Sequence, residues 1–308
     1  MIKDALFREE LRNITCGTVL FDETTDRYTS IGVGGRAAVM IFPRNTEELI
    51  RLFSYLQESE IPFLPVGNWT NIIVKDGGYK GAIICLRDLC EIDVKVREDN
   101  MVSIYAEAGV ALSEIVNLSA DEALTGIEFC AGIPGSVGGA VRMNAGAYGR
   151  EIKDIVELIS LLNSRGKILE IGRDGLKFTY RNLELPEKSI ITGASFLLRR
   201  GTEKEVRGKI AEVLILRKKK HPLEYRSAGS IFKNPRSIPA GQLIDEIGLK
   251  GTRVGGAKIS EKHGNFIVNM GHAKAADILF LIDMVKSRAL EQRGIALETE
   301  VIIIGEDE

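Results

Sequence analysis

Residues 131–149 read Ala131-Gly132-Ile133-Pro134-Gly135-Ser136-Val137-Gly138-Gly139-Ala140-Val141-Arg142-Met143-Asn144-Ala145-Gly146-Ala147-Tyr148-Gly149. Glycine costs backbone entropy, so a folded chain concentrates it where the backbone must approach another group closely. Arg142 is the only charged residue here, and aliphatic side chains accompany the glycines. The segment is therefore predicted to be a buried loop whose N–H groups hold a ligand, commonly a phosphate. The alternative is a set of tight turns in a packed core.

The composition is that of an ordinary soluble globular protein. The chain has 308 residues, 44% of them hydrophobic and 27% charged, with a formal net charge of −2. This length allows about two or three domains with ample core, and the near-neutral charge argues against nucleic acid as a partner. No apolar run approaches the ~18 residues of a membrane span, and the first residues mix charges. We therefore expect a cytoplasmic protein that binds no membrane.

Cysteine and histidine give no indication of metal chemistry. The four cysteines form no CxxC pair and are predicted to be reduced, mostly buried thiols: Cys16, Cys85, Cys90 and Cys130. The three histidines are not at ligand spacing, so no metal site is predicted: His221, His263 and His272.

Hydrophobic periodicity predicts alternating helices and strands, the pattern of an α/β protein. Helices are predicted at 4–12, 46–58 (with Thr46 as its cap), 112–120, 203–220, 240–247 and 273–293. Strands are predicted at 37–42, 63–66, 72–74, 82–86, 102–106, 155–162, 168–171, 190–198, 265–269 and 295–304. A change of character near Arg199-Arg200-Gly201-Thr202 places a domain boundary close to residue 200.

Two further glycine-containing turns precede the segment 131–149. Gly32-Val33-Gly34-Gly35-Arg36-Ala37 fits the dinucleotide fingerprint G-x-G-x-x-A, but a strand follows where a Rossmann turn opens a helix. We therefore expect a turn near a ligand pocket there. Gly67-Asn68-Trp69-Thr70-Asn71 lies between two apolar strands. It either offers N–H groups and polar side chains to a pyrophosphate or is an ordinary hairpin.

Two polar stretches lie beyond residue 200. Ser227-Ala228-Gly229-Ser230-Ile231-Phe232-Lys233-Asn234-Pro235 contains Ser230, a candidate proton donor. Phe232 stands where the G-x-S-x-G motif requires glycine, which argues against a serine hydrolase. Arg217-Lys218-Lys219-Lys220 ends a predicted helix, where cations either stabilise the helix C-terminus or attract a nucleotide diphosphate.

With these segments in view, the chain from about Thr29 to Gly305 resembles the UDP-N-acetylenolpyruvoylglucosamine reductases, flavoenzymes of peptidoglycan synthesis. The matching parts are 131–149, 227–235, 248–251 continuing to 260–266, and 297–301. The resemblance implies an α+β (α/β) fold: an FAD-binding region of the vanillyl-alcohol-oxidase (PCMH) type at 1–200, with two α/β subdomains that meet near 85–100. An α+β substrate-binding domain follows at 201–308.

The resemblance also implies the chemistry. NADPH would reduce non-covalently bound FAD, and a hydride would then pass to C3 of the enolpyruvyl group of the UDP-sugar substrate. Arg181 would stabilise the negative charge that spreads into the substrate carboxylate. Glu300 would polarise that carboxylate, which requires a raised pKa, and Ser230 would protonate C2.

Two binding sets follow from the same resemblance. The cofactor set comes from the two glycine segments: Gly67, Asn68, Trp69, Thr70, Asn71, Gly132, Ile133, Pro134, Gly135, Ser136, Gly138, Gly139, Ala140, Asn144 and Gly146. The substrate set is Tyr180, Lys220, Lys233 and Asn234. The short stretch between Arg181 and Ser230 suits the subgroup of the family that lacks an extra insertion. We expect a monomer or weak oligomer.

Some positions depart from the family pattern: Trp69 replaces a glycine, Asn182 stands where a serine is common, and Ile302 stands where an arginine is common. Two alternatives stay open. One is a flavin oxidase of the same fold, although the glycine loops contain no His or Cys to attach a flavin. The other is a nucleotide-binding regulatory module, which would be colourless.

Overall fold

The computed structural model describes residues 4–308. The helices are α1 (Ala5–Ile14), α2 (Thr46–Glu58), α3 (Leu112–Asp121), α4 (Val137–Arg142), α5 (Glu203–Lys220), α6 (Ala240–Glu246) and α7 (Ala275–Arg293). The strands are β1 (Thr18–Thr24), β2 (Arg36–Phe42), β3 (Phe63–Val66), β4 (Ile72–Val74), β5 (Tyr79–Cys85), β6 (Ile92–Val96), β7 (Met101–Glu107), β8 (Leu124–Thr125), β9 (Gly146–Ala147), β10 (Arg150–Glu151), β11 (Val156–Leu162), β12 (Ile168–Gly172), β13 (Phe178–Thr179), β14 (Asn182–Leu183), β15 (Ile190–Arg200), β16 (Arg226–Ser230), β17 (Arg253–Val254), β18 (Ala257–Ile259), β19 (Phe266–Asn269) and β20 (Ile302–Ile304).

The chain forms two compact units that are interleaved in sequence. Unit 1 contains the residues up to Phe21, Val39–Asn68 and Gly81–Ile215. Unit 2 contains Asp22–Ala38, Trp69–Lys80 and Leu216–Glu308. The division of the chain near residue 200 concerns functional regions, and it stays a prediction.

The first part of unit 1 is built around the sheet β1-β2-β5-β3, in which β3 and β5 are parallel. Helix α2 begins where Asn45 Oδ1 accepts the N–H of Glu48 at 2.9 Å. Asn45, not the predicted Thr46, is thus the cap, because its side chain reaches the free N–H groups of the first turn. The helix buries one apolar face: Leu49, Leu52, Phe53 and Leu56.

The second part of unit 1 is the antiparallel sheet β12-β11-β15-β7-β6. Strand β15 is central, and its residues from Ile190 to Leu198 are buried or half-buried on both faces, as expected for a strand covered on both sides. Its core contains residues from 102 to 198 and is separate from the core around α2.

Unit 2 contains the antiparallel sheet β16-β19-β18-β17 and a parallel pair, β4 with β20. Residues of α6, α7 and β18 share one buried apolar core with Ile31, Val33 and Ile73. Tight packing of these elements keeps the loops between them in defined positions.

Most predicted helices and strands are confirmed with small shifts at their ends. The strand predicted at 295–304 is wrong except at Ile302–Ile304, because Leu297 and Val301 are buried by loop packing rather than by a ladder. The segment 131–149 is not only a loop, since it contains α4. Two of the four cysteines, Cys16 and Cys90, are exposed, so the prediction of mostly buried thiols is wrong for half of them.

Candidate active site

The glycine-rich segment opens α4 in unit 1, and the protein itself uses the first N–H groups of that helix. Val137 and Gly138 donate to the carbonyls of Val110 and Ala108, at 2.9 and 3.0 Å. The Ser136 hydroxyl caps the helix by accepting the N–H of Gly139 at 3.4 Å. A phosphate held by Gly138 or Gly139 N–H would have to displace these bonds.

Gly67 lies directly against Ser136, although the two are far apart in sequence. A Cβ at Gly67 would be 2.0 Å from Ser136 Oγ, so the Ser136 side chain or the backbone would have to move to accept it. Two glycines preceding Ser136 have left-handed φ angles, +70° at Gly132 and +146° at Gly135, which favour glycine. Within unit 1 the two glycine-containing turns therefore meet where Gly67 packs against the Ser136 side chain.

Asn68 belongs to unit 1 with Gly67, whereas the rest of this turn, Trp69, Thr70 and Asn71, belongs to unit 2. Trp69 is only 6% exposed, and its ring centroid lies 5.9 Å from that of Tyr28. Its φ of +55° is one that favours glycine. Asn71 Nδ2 donates to the carbonyl of Glu300 at 3.1 Å, and its own carbonyl accepts the N–H of Ile302 at 3.0 Å. Asn71 thus supports the backbone of a candidate catalytic residue.

Arg181 and Tyr180 form the turn of the β13–β14 hairpin in unit 1. Arg181 has a φ of +58°, and its Nη2 donates to the carbonyl of Gly146 at 3.2 Å. Its guanidinium carbon is 5.0 Å from the centroid of the exposed Tyr180 ring. The predicted catalytic arginine and the predicted substrate-binding tyrosine therefore form one stacked pair.

Ser230 is the last residue of β16, beside a one-residue bulge. Ser227 pairs with Val268 but Ser230 pairs with Phe266, so the bulged strand has one residue more than β19 between these pairs. Gly229 adopts a φ of +76° at this point. Because a bulge changes the face toward which the following side chain points, it determines the direction of the half-buried Ser230 hydroxyl.

Glu300 is joined to the residue after Ser230 in unit 2. Its N–H donates to the carbonyl of Ile231 at 2.8 Å. Phe232 pairs with Thr299 in an antiparallel bridge, and the N–H of Lys233 donates to the carbonyl of Glu298 at 2.9 Å. The backbone that carries Ser230 and the backbone that carries Glu300 therefore run side by side.

Asn265 is a residue of this site that the sequence analysis did not assign. Its Nδ2 donates to the carbonyl of Phe232 at 2.8 Å, and its Oδ1 accepts the N–H of Phe232 at 2.9 Å. Its own carbonyl accepts the N–H of Ile231. Asn265 lies in the stretch 260–266 that carries part of the family resemblance. The neighbouring sequence gives no sign that its side-chain amide binds the backbone of the segment after β16.

The basic stretch at the end of α5 continues into a histidine pair in unit 2. The ring centroids of His221 and His263 are 5.6 Å apart, and each is 5.0 Å from that of Phe266. Burial lowers the pKa of His221 to about 4, with help from the positive charges of Arg217, His263, Lys220 and Lys262. Lys262 Nζ donates to the carbonyl of Lys218 at 2.8 Å. His221 is therefore a neutral side chain within a cationic surface.

Two of the three predicted substrate-binding residues of unit 2, Lys233 and Asn234, have hydrogen-bond or ion-pair partners. Lys220 is exposed. Lys233 Nζ pairs with Glu298 at 3.1 Å, an exposed contact that a bound anion can replace. Asn234 Oδ1 accepts the N–H of Ala240, where α6 begins. Among residues 4–308, no cluster of three or more His, Cys, Asp or Glu side chains could hold a metal ion. No helix in that range is long and apolar enough to cross a membrane.

Two family models match the chain. The description of one is FAD binding domain, and it matches residues 37–172, which include Gly67 and the whole segment 131–149. The description of the other is UDP-N-acetylenolpyruvoylglucosamine reductase, C-terminal domain, and it matches residues 221–304, which include Ser230, Asn265 and Glu300.

Full-length relatives carry the same name. The chain is 52% identical to the UDP-N-acetylenolpyruvoylglucosamine reductase of Syntrophus aciditrophicus, over 100% of this chain and 98% of that one. It is 43% identical to the enzyme of that name from Caldanaerobacter subterraneus subsp. tengcongensis, over 94% and 95% of the two chains. A crystal structure of UDP-N-acetylenolpyruvylglucosamine reductase from Thermus caldophilus superposes with a TM-score of 0.80 at 35% identity, covering 94% of this chain and 99% of that one. These matches confirm the predicted fold class, with an FAD-binding unit over residues 37–172.

Proposed function

Because the chain belongs to the UDP-N-acetylenolpyruvoylglucosamine reductases, and so is an FAD-containing oxidoreductase, we propose that it reduces enolpyruvyl-UDP-N-acetylglucosamine to UDP-N-acetylmuramate. NADPH is the reductant, and the reaction is a cytoplasmic step of peptidoglycan synthesis. The observation that supports this proposal is the backbone hydrogen bond between Glu300 and Ile231, which places the backbone of Glu300 beside the residue that follows Ser230.

The contact between the two glycine turns fits a bound FAD. Gly67 leaves no room for a side chain against Ser136, and the left-handed angles of Gly132 and Gly135 expose backbone in a segment with little charge. Such backbone can approach a pyrophosphate closely. The proposed cofactor residues therefore act through their main chain, with the flavin held non-covalently. Bound FAD supplies two-electron transfer between the nicotinamide and the substrate.

The proposed chemistry divides among three side chains. Addition of a hydride equivalent at C3 of the enolpyruvyl group leaves negative charge at C2, which spreads into the adjacent carboxylate. The Arg181 guanidinium stabilises that charge, and Glu300 shares a proton with the carboxylate. Ser230 donates its hydroxyl proton to C2, which completes the C–H bond and leaves an alkoxide that takes up a proton from water.

The proposed substrate contacts are cationic or aromatic. Lys220 and Lys233 provide charge for the diphosphate of the UDP moiety, and Lys233 would exchange its contact with Glu298 for it. Tyr180 and Asn234 are exposed and provide further hydrogen-bonding groups. We propose that residues 1–200 hold the cofactor, that residues 201–308 hold the substrate, and that the enzyme is a monomer or weak oligomer.

The test separates the two half-reactions by anaerobic stopped-flow absorbance of the flavin. We expect Ser230→Ala to be reduced by NADPH at the wild-type rate and to be reoxidised by the substrate at least about a hundredfold more slowly. Ser237→Ala changes an exposed serine nearby and serves as the matched control. Wild-type reoxidation in Ser230→Ala would remove Ser230 as the proton donor. Failure of the wild-type flavin to be reoxidised by this substrate would overturn the proposed function.

A further inference from the structure

Residues 142–146, at the end of α4 and just after it, hydrogen-bond to the β13–β14 hairpin through three residues in unit 1. Arg142 Nη1 donates to the carbonyl of Leu183 at 2.6 Å and also to Asn182 Oδ1. Asn144 Nδ2 donates to the carbonyl of Thr179 at 3.1 Å. The carbonyl of Gly146 accepts Arg181 Nη2. The two hairpin strands and the turn residue are thus each held by the same short segment.

Asn144 is the central residue of these contacts. It is 0% exposed, and both hydrogens of its amide are used, one for Thr179 and one for Glu151 Oε2 at 3.2 Å. Its Oδ1 accepts the N–H of Lys153 at 3.1 Å. The amide is therefore occupied inside the protein and does not present its donors to a cofactor.

The backbone of Asn144 explains the residue type. Its φ is +42°, a left-handed angle that asparagine tolerates better than most residues other than glycine. Asparagine thus combines the required backbone angle with an amide that can hold two neighbouring segments. Glycine would keep the angle and lose only the amide, which allows the two roles to be separated experimentally.

We infer that Asn144 and Arg142 are positioning residues that hold the β13–β14 hairpin so that the Arg181 guanidinium stays at the substrate carboxylate. This inference rests on the proposed function, because it takes the charge-stabilising role of Arg181 from there. Asn144, predicted from the sequence to bind the cofactor, would instead use its side chain to position Arg181 by holding the hairpin.

The positioning role predicts a selective effect on one half-reaction. In Asn144→Gly and in Arg142→Met, FAD content and reduction by NADPH stay at wild-type levels, while reoxidation by the substrate slows about tenfold to a hundredfold through misplacement of Arg181. Arg165→Met changes an exposed arginine in the β11–β12 turn, away from the hairpin, and serves as the control.

A double-mutant cycle with Arg181→Met decides whether the effect passes through Arg181. Asn144→Gly is expected to cause no further loss of reoxidation rate once Arg181 is methionine. An equal loss in both backgrounds, or loss of FAD from Asn144→Gly, would overturn the inference. The inference would also be overturned if Asn144→Gly and Arg142→Met were reoxidised at the wild-type rate while Arg181→Met was reoxidised slowly.

The same cycle separates this inference from the proposed function. If the flavin of the single variant Arg181→Met is reoxidised at the wild-type rate, the proposed charge-stabilising role of Arg181 is wrong, whatever Asn144 does. If Asn144→Gly does not fold, Arg142→Met provides the same test. The Arg142 side chain contacts β14, whereas that of Asn144 contacts β13.

Discussion

The side-chain amide of Asn265 hydrogen-bonds both the N–H and the carbonyl of Phe232, at 2.9 and 2.8 Å. Asn265 is 3% exposed, so both bonds are shielded from water. They hold the segment directly after β16 on the side opposite Glu300, whose N–H donates to the carbonyl of Ile231. The backbone around the proposed proton donor is therefore fixed from two sides.

We predict that Asn265→Leu lowers the free energy of unfolding by about 1–3 kcal/mol, because two buried backbone groups of Phe232 lose their partner. Reoxidation of the flavin by the substrate should slow as well, since Ser230 loses its support. Urea denaturation and stopped-flow absorbance measure the two effects. The control is Asn117→Leu on the exposed face of α3, and equal stability of both variants would contradict the prediction.

A second prediction concerns the contact between Gly67 and Ser136. Gly67→Ala places a Cβ 2.0 Å from Ser136 Oγ and 3.0 Å from Ser136 Cβ. Either the Ser136 hydroxyl leaves its capping position or the two turns move apart, and FAD binding should weaken at least about tenfold. Ser136→Gly loses only the hydroxyl cap of α4, which costs a few tenths of a kcal/mol.

The double variant Gly67→Ala/Ser136→Gly removes the clash and should regain much of the affinity. Flavin fluorescence during titration of the apoprotein gives the dissociation constant of each form. No recovery in the double variant would show that Gly67 is required for another reason.

His221 should make the stability of the protein depend on pH. Its pKa is about 4 in the folded protein and 6.5 ordinarily, so between these values the unfolded chain binds the additional proton. The free energy of unfolding therefore falls as the pH decreases from 6.5 towards 4. His221→Gln should flatten this slope, whereas His272→Gln, at an exposed position, should not. Chemical denaturation at a series of pH values measures the slope, and an unchanged slope in His221→Gln would refute the assignment.

Glu48 is predicted to stabilise the start of unit 1 above the ordinary carboxyl pKa. Burial alone would raise its pKa, but hydrogen bonds from Arg44 N–H at 3.0 Å, Thr15 Oγ1 at 2.6 Å and Cys16 N–H at 3.2 Å outweigh it and lower the pKa.

The Glu48 contribution is present above pH 4.5 and is lost as the pH falls through the depressed folded value. Glu48→Gln should therefore destabilise the protein by about 1–3 kcal/mol at neutral pH. The difference from wild type should shrink in acid. Thermal melts at pH 7 and below pH 4.5 test this, with Glu47→Gln on the exposed side of α2 as the control. A difference that does not change with pH would contradict it.

The secondary structure could be predicted from local sequence wherever a given pattern of residues has a single structural cause. The spacing of apolar residues predicted α2 at Thr46–Glu58 with the observed ends, and α5 was also predicted with its observed ends, Glu203–Lys220. The last predicted strand failed because Leu297 and Val301 are apolar for another reason, namely burial of a loop. Apolar spacing alone does not distinguish these two kinds of burial.

The family and its FAD cofactor could be predicted from the sequence alone, because the motifs that carry the resemblance are runs of neighbouring residues. The resemblance also implied Arg181, Ser230 and Glu300 as catalytic residues, and their roles stay predictions. The tertiary structure was needed to show that Gly67 packs against Ser136 and that Asn265 hydrogen-bonds to Phe232. It was also needed to show that the Asn144 amide hydrogen-bonds to the β13–β14 hairpin. These contacts join residues far apart along the chain. Their partners are decided by how sheets and loops pack, and a local pattern does not contain that information.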